Sequence, residues 1–410
     1  MKKNLLVAQS GGPSSAINAT LSGILEEAIK SGKIDKVYGG INGIYGILSR
    51  QLVELTGQIT SNEDLRLLET TPGMALGSCR FQLPAPTADD KLYAQILKTF
   101  EDYNIGYFLY LGGANSMDTV KKLGSYFAEK GSDIRIIGVP KTVDNDMPCT
   151  DHTPGFGSAA KFIATSMLEI IRDSEAYPVS SVTIVEIMGK ESGWLTASSI
   201  LPRSIGNKAP HLVYLPEVPF SMGQFINDVQ EMMKKERAVI IAVSEGIQFS
   251  DGTYVSKPQT GEQEYAGVGQ VLERALVSTI GGKIRSVVLN VLQRCSGHLL
   301  SGTDIAEAKE MGVQAVHAAL SGETGKVLVF KRVCDKPYLA DIGLVAVDDV
   351  LDGIKTFPLE WISEENNDLT QSALDYLLPL IEGEVQVPVK MGLPVHFRFD
   401  LTPSKAPAAE

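Results

Sequence analysis

Short apolar runs alternate with amphipathic stretches along nearly the whole chain. Continuous apolar runs bounded by turn residues predict strands that are buried on both faces, as in parallel sheets. The runs predicted as strands are Leu5–Ala8, Lys36–Tyr38, Tyr107–Leu111, Ile134–Val139, Val182–Ile187, Leu212–Leu215, Ala238–Val243, Arg285–Leu289 and Val327–Phe330. Apolar residues at helical spacing predict helices between them, such as Ser15–Ser31, Ser116–Lys130, Ser158–Arg172, Ser221–Lys235 and Asp304–Leu320. This alternation predicts an α/β fold with mostly parallel sheets covered by helices.

The length of the chain favours two domains over one. With 410 residues, it is long for a single hydrophobic core. No segment has the composition of a sharp linker, so we expect the two domains to interlock and to exchange strands and helices. The segment 402–410, TPSKAPAAE, is small, polar and contains proline, and it is predicted to fray.

Charge and cysteine content limit the possible partners and locations. The formal net charge of −12 argues against general nucleic-acid binding, and any phosphate ligand must be met by locally concentrated cations. No segment approaches the roughly 20 apolar residues that span a membrane. Neither the cysteines nor the histidines have metal-binding spacing, and no disulfide framework is indicated, so a cytoplasmic location is expected. The cysteines are Cys79, Cys149, Cys295 and Cys334.

Two glycine turns stand where predicted strands pass into predicted helices. The first, AQSGGPSSAIN at 8–18, contains Gly11 and Gly12, and the second, LYLGGANSMDT at 109–119, contains Gly113. Glycines let the backbone approach an anion closely, and the free amides at a helix start attract negative charge. Neither turn has the dinucleotide or P-loop spacing, which disfavours an NAD-dependent oxidoreductase. Each turn alone fits a capped structural turn as well as a phosphate site.

The segment PKTVDNDMPCTDHTPGFGSA, residues 140–159, carries the strongest chemical signal. It follows a predicted strand, and α/β sheets place their active sites at the carboxyl ends of strands. Asp144 could take the proton of a sugar hydroxyl during phosphoryl transfer, and Lys141 could stabilise charge on the transferred group. Thr142 could donate a hydrogen bond to the sugar. The alternative is an acidic turn of solvated carboxylates, which does not explain the lysine together with the glycines that follow.

Further cationic and polar residues that could meet a phosphate or a sugar are scattered along the chain. They lie in LGSCR with Arg80, EIMGKESGW with Lys190, VSEGI with Glu245, and RSVVLNVLQR with Arg285 and Arg294. The planar fork of arginine makes paired hydrogen bonds to phosphate. Taken singly, each of these residues fits a surface salt bridge better than a ligand contact.

Together these motifs resemble the phosphofructokinase family, most of all its pyrophosphate-dependent members. SGGPSSAIN, LGSCR, PKTVDND, PGFGSA, VEIMGKESGW, VSEGI and VLQR occur in the order of the family and cover most of residues 1 to about 330. The resemblance implies two interlocked Rossmann-like domains, with a donor-phosphate domain at 1–155 plus about 300–345. The sugar-phosphate domain would occupy 156–299 plus about 346–410. It also implies phosphate transfer from pyrophosphate to the 1-hydroxyl of fructose 6-phosphate, reversibly and with Mg²⁺, in glycolysis or gluconeogenesis.

The resemblance assigns roles to individual residues. On the donor side it implies contacts from Gly11, Gly12, Arg80, Gly113, Asn115 and Lys141. On the sugar side it implies contacts from Thr142, Val143, Asp144, Met188, Gly189, Lys190, Glu245, Arg285 and Arg294. Asp144 matches the catalytic base and Lys141 a catalytic cation. Arg285 matches an arginine that reaches the sugar phosphate of a neighbouring subunit, so a homodimer or homotetramer is expected.

Several positions depart from the family pattern. Ala114 stands where a magnesium-associated aspartate is expected, which leaves Asp146 and phosphate oxygens to hold the metal. Asn115 stands where pyrophosphate users carry a second aspartate that obstructs the nucleotide. Ser181 replaces a common arginine, and Val291 a common histidine or tyrosine. Both changes could weaken the 6-phosphate site or admit another sugar phosphate.

The donor and the activity have alternatives that the sequence leaves open. Lys141 favours pyrophosphate, because ATP-dependent bacterial members usually carry glycine there and because pyrophosphate has no nucleoside to anchor it. An ATP-dependent phosphofructokinase is the first alternative. The second is a catalytically weak paralogue that binds sugar phosphate and regulates a partner subunit. The departures from the pattern motivate it, whereas the intact Lys141, Asp144 and Asp146 argue against it.

Overall fold

The computed structural model describes residues 2–256 and 267–406. Their strands form a seven-stranded sheet, a four-stranded sheet and a separate two-stranded hairpin. The strands are β1 (Lys3–Gln9), β2 (Ile34–Gly40), β3 (Leu52–Glu54), β4 (Ile105–Gly112), β5 (Arg135–Pro140), β6 (Ser181–Ile187), β7 (Leu212–Tyr214), β8 (Ala238–Ser244), β9 (Lys283–Val288), β10 (Lys326–Asp335), β11 (Tyr338–Ala346), β12 (Val389–Lys390) and β13 (Leu393–Pro394). Each of the nine predicted strands coincides with one of these.

Helices connect most of the strands and cover the sheets. They are α1 (Ile17–Ser31), α2 (Ile44–Leu48), α3 (Asn62–Glu69), α4 (Asp90–Asp102), α5 (Ala114–Glu129), α6 (Phe156–Glu175), α7 (Trp194–Ala197), α8 (Met222–Met233), α9 (Val268–Thr279), α10 (Gly302–Leu320) and α11 (Gln371–Leu377). Short 3₁₀ turns include Asn290–Arg294. A search of the described residues finds no helix with the length and apolar character to cross a membrane.

The seven-stranded sheet has the order β11-β10-β5-β4-β1-β2-β3. Its strands from β10 to β2 run parallel, whereas β3 and β11 pair antiparallel at the two edges. The four-stranded sheet, β7-β8-β6-β9, is parallel throughout. Its middle strands β6 and β8 are almost entirely buried, as their continuous apolar runs require. The predicted α/β fold with mostly parallel sheets is therefore confirmed.

The chain leaves the first sheet after β5 and returns to it at β10, after the whole second sheet. On the way back, α10 packs against α1 through two glycines. A Cβ added at Gly312 would lie 2.1 Å from the carbonyl oxygen of Thr20, and one added at Gly23 would lie 2.1 Å from that of Lys309. Only glycine allows two helix backbones to come this close. The described strands thus interlock the two parts of the chain, while the predicted domain boundaries stay a prediction.

The C-terminal segment packs against the first sheet. Phe399 is buried against the core that contains Leu5 and Leu109, and the amide of Ser404 donates to the carbonyl of Leu52 in β3 at 2.7 Å. Tyr103 donates its hydroxyl to the carbonyl of Ser404 at 2.8 Å. The prediction that 402–410 frays is therefore wrong for Ser404, and its last four residues lie outside the described residues.

Candidate active site

A cleft of about 630 Å³ opens at the carboxyl ends of β1, β4 and β5. This is the edge at which parallel α/β sheets bind their ligands. The cleft brings together both predicted glycine turns and the predicted catalytic segment. Its lining is Ser10, Gly11, Gly12, Cys79, Arg80, Phe81, Gln82, Gly113, Ala114, Asn115, Ser116, Lys141, Thr142, Asp144, Asp146, Glu191 and Ile354.

The second glycine turn presents the amino end of a long helix to the cleft. Gly113 is the N-cap of α5, which begins at Ala114, so the first amides of the helix have no acceptor within it. The first turn lies directly alongside. Gly11 has φ +79°, and a Cβ added to it would lie 3.7 Å from the amide nitrogen of Gly113. Unsatisfied amides and the helix dipole make this wall suitable for an anion.

Lys141 supplies a cation to the same wall. Its ammonium donates to the carbonyl of Gly12, and a Cβ added at Gly11 would lie 3.5 Å from its Nζ. Only 4% of the residue is exposed. Burial lowers the pKa of Lys141 to about 8, although the neighbouring Asp144 carboxylate acts in the opposite direction. The lysine therefore stays charged at neutral pH in a place where its field is poorly screened.

Two carboxylates, Asp144 and Asp146, follow this cation three and five positions later in the chain. Burial and the Asp146 charge raise the pKa of Asp144 to about 6. Burial also raises the pKa of Asp146, and the Glu191 carboxylate, which lines the same cleft, contributes to this. Thr142 holds the loop by accepting the amide hydrogen of Asp144 at 3.1 Å. A carboxylate with a pKa near 6 is well suited to take a proton at neutral pH.

The predicted sugar-side residues lie next to this corner, on the ends of the second sheet. The amide of Gly189 donates to Glu245 Oε1 at 3.4 Å, and that of Met188 to Gln293 Oε1 at 3.1 Å. Burial raises the pKa of Glu245 to about 7, and the Asp144 charge adds to the rise. Lys190 directly follows Gly189 in the chain.

Arg294 links the sugar-side residues to the donor turn. A Cβ added at Gly12 would lie 3.5 Å from Arg294 Nη1, and the Arg294 charge helps to hold down the pKa values of Asp144 and Glu245. The guanidinium therefore lies between the two halves of the site.

Of the predicted sugar-side residues, Thr142 and Asp144 line the cleft itself, and Val143 and Arg285 are held elsewhere within the chain. Val143 is buried in the core of the second sheet. Arg285 lies in the amino-terminal half of β9, where it donates to Asp173 Oδ2 at 2.5 Å and to Thr183 Oγ1 at 3.1 Å. It lines a separate small cavity with Ser174, Tyr177, Ser181, Val182, Thr183 and Lys283.

The glycine turn of PGFGSA is capped by a carboxylate of another helix. Asp304 of α10 accepts hydrogen bonds from the amides of Gly155 and Ser158 at 2.8 and 2.9 Å. The amino end of α6 is thus capped by a buried carboxylate of this chain, which competes with any external anion.

Sequence reasoning missed several residues of the site. Cys79 and Glu191 line the cleft beside Arg80 and Lys190, so their motifs contained the signal. Ile354 belongs to a segment without any motif, and it reaches the cleft only through the tertiary fold.

The fold and the cleft together define a phosphotransferase of the α/β class. The chain belongs to the phosphofructokinase family, whose model (Phosphofructokinase) matches residues 4–319, so the predicted resemblance is confirmed. The chain is 37% identical to the pyrophosphate–fructose 6-phosphate 1-phosphotransferase of Halomonas elongata, over 95% of this chain and 94% of that protein. It is 35% identical to the protein of that name from Methylococcus capsulatus, over 96% and 94%. The crystal structure of the pyrophosphate-dependent phosphofructokinase of Nitrosospira multiformis has a TM-score of 0.89 and 35% identity, covering 99% of both chains.

Proposed function

We propose that this enzyme transfers a phosphoryl group from pyrophosphate to the 1-hydroxyl of fructose 6-phosphate. The products are fructose 1,6-bisphosphate and phosphate, and the reaction is reversible. The observation that carries the proposal is the buried ammonium of Lys141, held between the donor glycine turns and Asp144. The names of the similar proteins from Halomonas and Methylococcus support this choice of donor and acceptor.

The proposed chemistry follows from the positions of the glycine turns, Lys141 and Asp144 in the cleft. Pyrophosphate lies on the amides of Gly11, Gly12 and the start of α5. The sugar O1 attacks the nearer phosphorus, the bond from that phosphorus to the bridging oxygen breaks, and inorganic phosphate leaves. Asp144 takes the proton of the 1-hydroxyl, and Lys141 stabilises the charge that develops on the transferred group. In reverse, protonated Asp144 returns the proton to O1.

Magnesium fits the donor set with few protein ligands. Among residues 2–256 and 267–406, no group of three or more His, Cys, Asp or Glu is arranged to hold a metal. Mg²⁺ is usually bound by one or two carboxylates together with substrate phosphates and water. Asp146 would hold it, because Asp146 lines the cleft together with the donor glycine turns and Glu191. When bound, the metal neutralises phosphate charge.

The sugar phosphate would bind across a subunit boundary. Met188, Gly189, Lys190, Glu245 and Arg294 would hold it within one chain, with Thr142 beside the reacting hydroxyl. Arg285 points to a homodimer or homotetramer, because its guanidinium lies outside the cleft of its own chain and would serve the neighbour. Sedimentation at micromolar concentration tests the assembly, and a monomer would exclude this role for Arg285. A cytoplasmic location is part of the proposal.

A donor assay decides between pyrophosphate and ATP. Purified protein is given fructose 6-phosphate with either donor, with and without Mg²⁺, and fructose 1,6-bisphosphate is measured. We expect turnover with pyrophosphate and Mg²⁺. Turnover with ATP alone would support the alternative donor, and no turnover with either would support the regulatory paralogue.

A further inference from the structure

Asn145 separates the two aspartates of the catalytic corner and points away from them. Its φ is +55°, a left-handed conformation that asparagine adopts more readily than most residues. Asp144 and Asp146 both line the cleft, whereas the Asn145 side chain is fully buried on the other side of the loop. The direction of both carboxylates therefore depends on how Asn145 is held.

Lys355 and Tyr376 hold it from a distant part of the chain. Lys355 Nζ donates to Asn145 Oδ1 at 3.0 Å and to the carbonyls of Thr150 and Asp151 at 3.2 and 2.6 Å. An ammonium has three donors, and each of them has an acceptor here. The backbone amide of Lys355 also donates to the carbonyl of Asp146 at 2.8 Å. One residue thus fastens the loop at both ends.

Tyr376 of α11 makes the second contact with Asn145, and Lys355 and Tyr376 together are called the clasp. Asn145 Nδ2 donates to the Tyr376 hydroxyl at 3.0 Å, and that hydroxyl donates to the carbonyl of Asp151 at 2.6 Å. Every polar atom of the Asn145 side chain therefore has a partner outside the loop. The donor and acceptor of the amide group are both used, which fixes its orientation.

The two clasping residues are themselves rigidly mounted. The Trp194 ring lies under the Lys355 ammonium, 4.8 Å from ring centroid to Nζ, and its Nε1 donates to the Lys355 carbonyl at 3.0 Å. Arg332 stacks on Tyr376, 4.3 Å from the ring centroid, and pairs with Asp151. Because these contacts fix Lys355 and Tyr376, the two residues can in turn fix the position of the loop.

We propose that Lys355 and Tyr376 are positioning residues that aim Asp144 and Asp146 into the cleft through Asn145. The inference rests on the proposed function, since it gives these aspartates a reaction to serve. Both residues lie beyond the family match at 4–319. A displacement of about 1 Å in a reacting group can lower a rate by roughly a hundredfold, so the clasp controls turnover without touching substrate.

Kinetics of four variants test the inference. Lys355→Met and Asn145→Gly should each lower kcat with pyrophosphate by about a hundredfold while both KM values stay within about threefold. Asn145→Gly keeps the left-handed backbone conformation accessible. A fall in kcat in this variant therefore reports the loss of the side-chain contacts. Tyr376→Phe should lower kcat by about tenfold. The double variant, Lys355→Met with Asn145→Gly, should have a kcat within about threefold of that of the less active single variant. The two losses should not multiply, because both residues act through one contact.

Lys161→Met is the matched control. Lys161 also donates to a carbonyl of the C-terminal part, that of Gly383 at 2.7 Å, and its side chain is 12% exposed. It does not line the cleft, and kcat should be unchanged. A Lys355→Met enzyme with wild-type kcat, an equal loss in Lys161→Met, or multiplicative losses in the double variant would overturn the inference.

Amide hydrogen exchange separates this inference from the proposed function. In the absence of substrate, the amides of Asp144 and Asp151, bonded to Thr142 Oγ1 and to the carbonyl of Phe330, should exchange at least about tenfold faster in Lys355→Met than in wild type. Unchanged exchange refutes the clasp whatever the activity. Faster exchange in a protein that does not use pyrophosphate would sustain the clasp and refute the proposed function.

Discussion

Asp144 is a residue whose charge is set by its neighbours. Burial and Asp146 favour its neutral form, whereas Lys141 and Arg294 favour the carboxylate. Because these influences oppose each other, its pKa of about 6 lies within the range in which an enzyme can use both protonation states. The same residue can therefore take a proton in one direction of the reaction and return it in the other.

The pH dependence of the two directions should differ. In the forward direction Asp144 must be ionised and Lys141 charged, so kcat/KM should rise through about pH 6 and fall above about pH 8, following their pKa values. In reverse Asp144 must be protonated, so kcat/KM should fall as the pH rises through about 6. Initial rates from pH 5 to 9 check this. If kcat/KM changed in the same sense through about pH 6 in both directions of the reaction, this would contradict the role of Asp144.

Removal of the carboxylate gives a second test at this scale. Asp144→Ser should lower kcat by about a thousandfold, since general-base catalysis typically contributes between a hundredfold and ten-thousandfold. Fructose 6-phosphate binding, measured by calorimetry, should be retained. Asp251→Ser is the control, because Asp251 is exposed and accepts hydrogen bonds from the turn residue Thr253. Unchanged turnover in Asp144→Ser would refute the mechanism.

Central strands were easier to predict from the sequence than short strands or the edge strand β11. Central strands such as β6 and β8 are covered on both faces, so their apolar runs are continuous and easily recognised. The edge strand β11 is half-exposed and contains Asp341 and Gly343, and β3 has only three residues. Their strand character comes from pairing with β10 and β2, which local pattern does not reveal.

The crossing of α1 and α10 makes a prediction about stability. Gly312→Ala places a methyl group 2.1 Å from the Thr20 carbonyl oxygen, so the helices must separate. We expect a loss of about 1–3 kcal/mol in the free energy of unfolding, as for other overpacked cores, measured by urea denaturation.

Gly124→Ala is the control for this helix crossing. Gly124 lies within α5, and a Cβ there would be 4.0 Å from the Gly325 Cα. This change should stabilise by about 0.5–1 kcal/mol, since alanine is the better helix former. Equal effects of the two substitutions would show that the crossing is looser than described.

At the scale of the whole molecule, the site combines local motifs with distant supports. Lys141 and Asp144 were predictable because they lie in a short motif whose chemistry is visible in the sequence, and Gly11 and Arg80 because their motifs resemble those of the family. Lys355 was not, because its contact with Asn145 joins residues 210 positions apart and no local pattern marks it. The sequence thus predicts the groups that line the cleft better than the groups that lie behind them.

The docked C-terminal segment makes a prediction at the same scale. Phe399 packs on the first sheet and against Phe397, with ring centroids 4.9 Å apart. Phe399→Ala should cost about 3 kcal/mol of unfolding free energy, as in other buried phenylalanine truncations. Leu401→Ala, at an exposed site nearby, should cost less than about 0.5 kcal/mol. Urea denaturation measures both, and similar losses would mean that the segment is not docked as described.

The return of the chain at β10 has a consequence for biosynthesis. While the ribosome translates the roughly 185 residues between β5 and β10, the edge of β5 that β10 later covers has no partner. At about 5–20 residues per second, this interval lasts roughly 10–40 s. An unpaired apolar edge invites pairing with other nascent chains, so protection by a chaperone would matter most in this interval. Prematurely terminated chains that end before β10 would keep the exposed edge permanently and should be cleared by proteolysis.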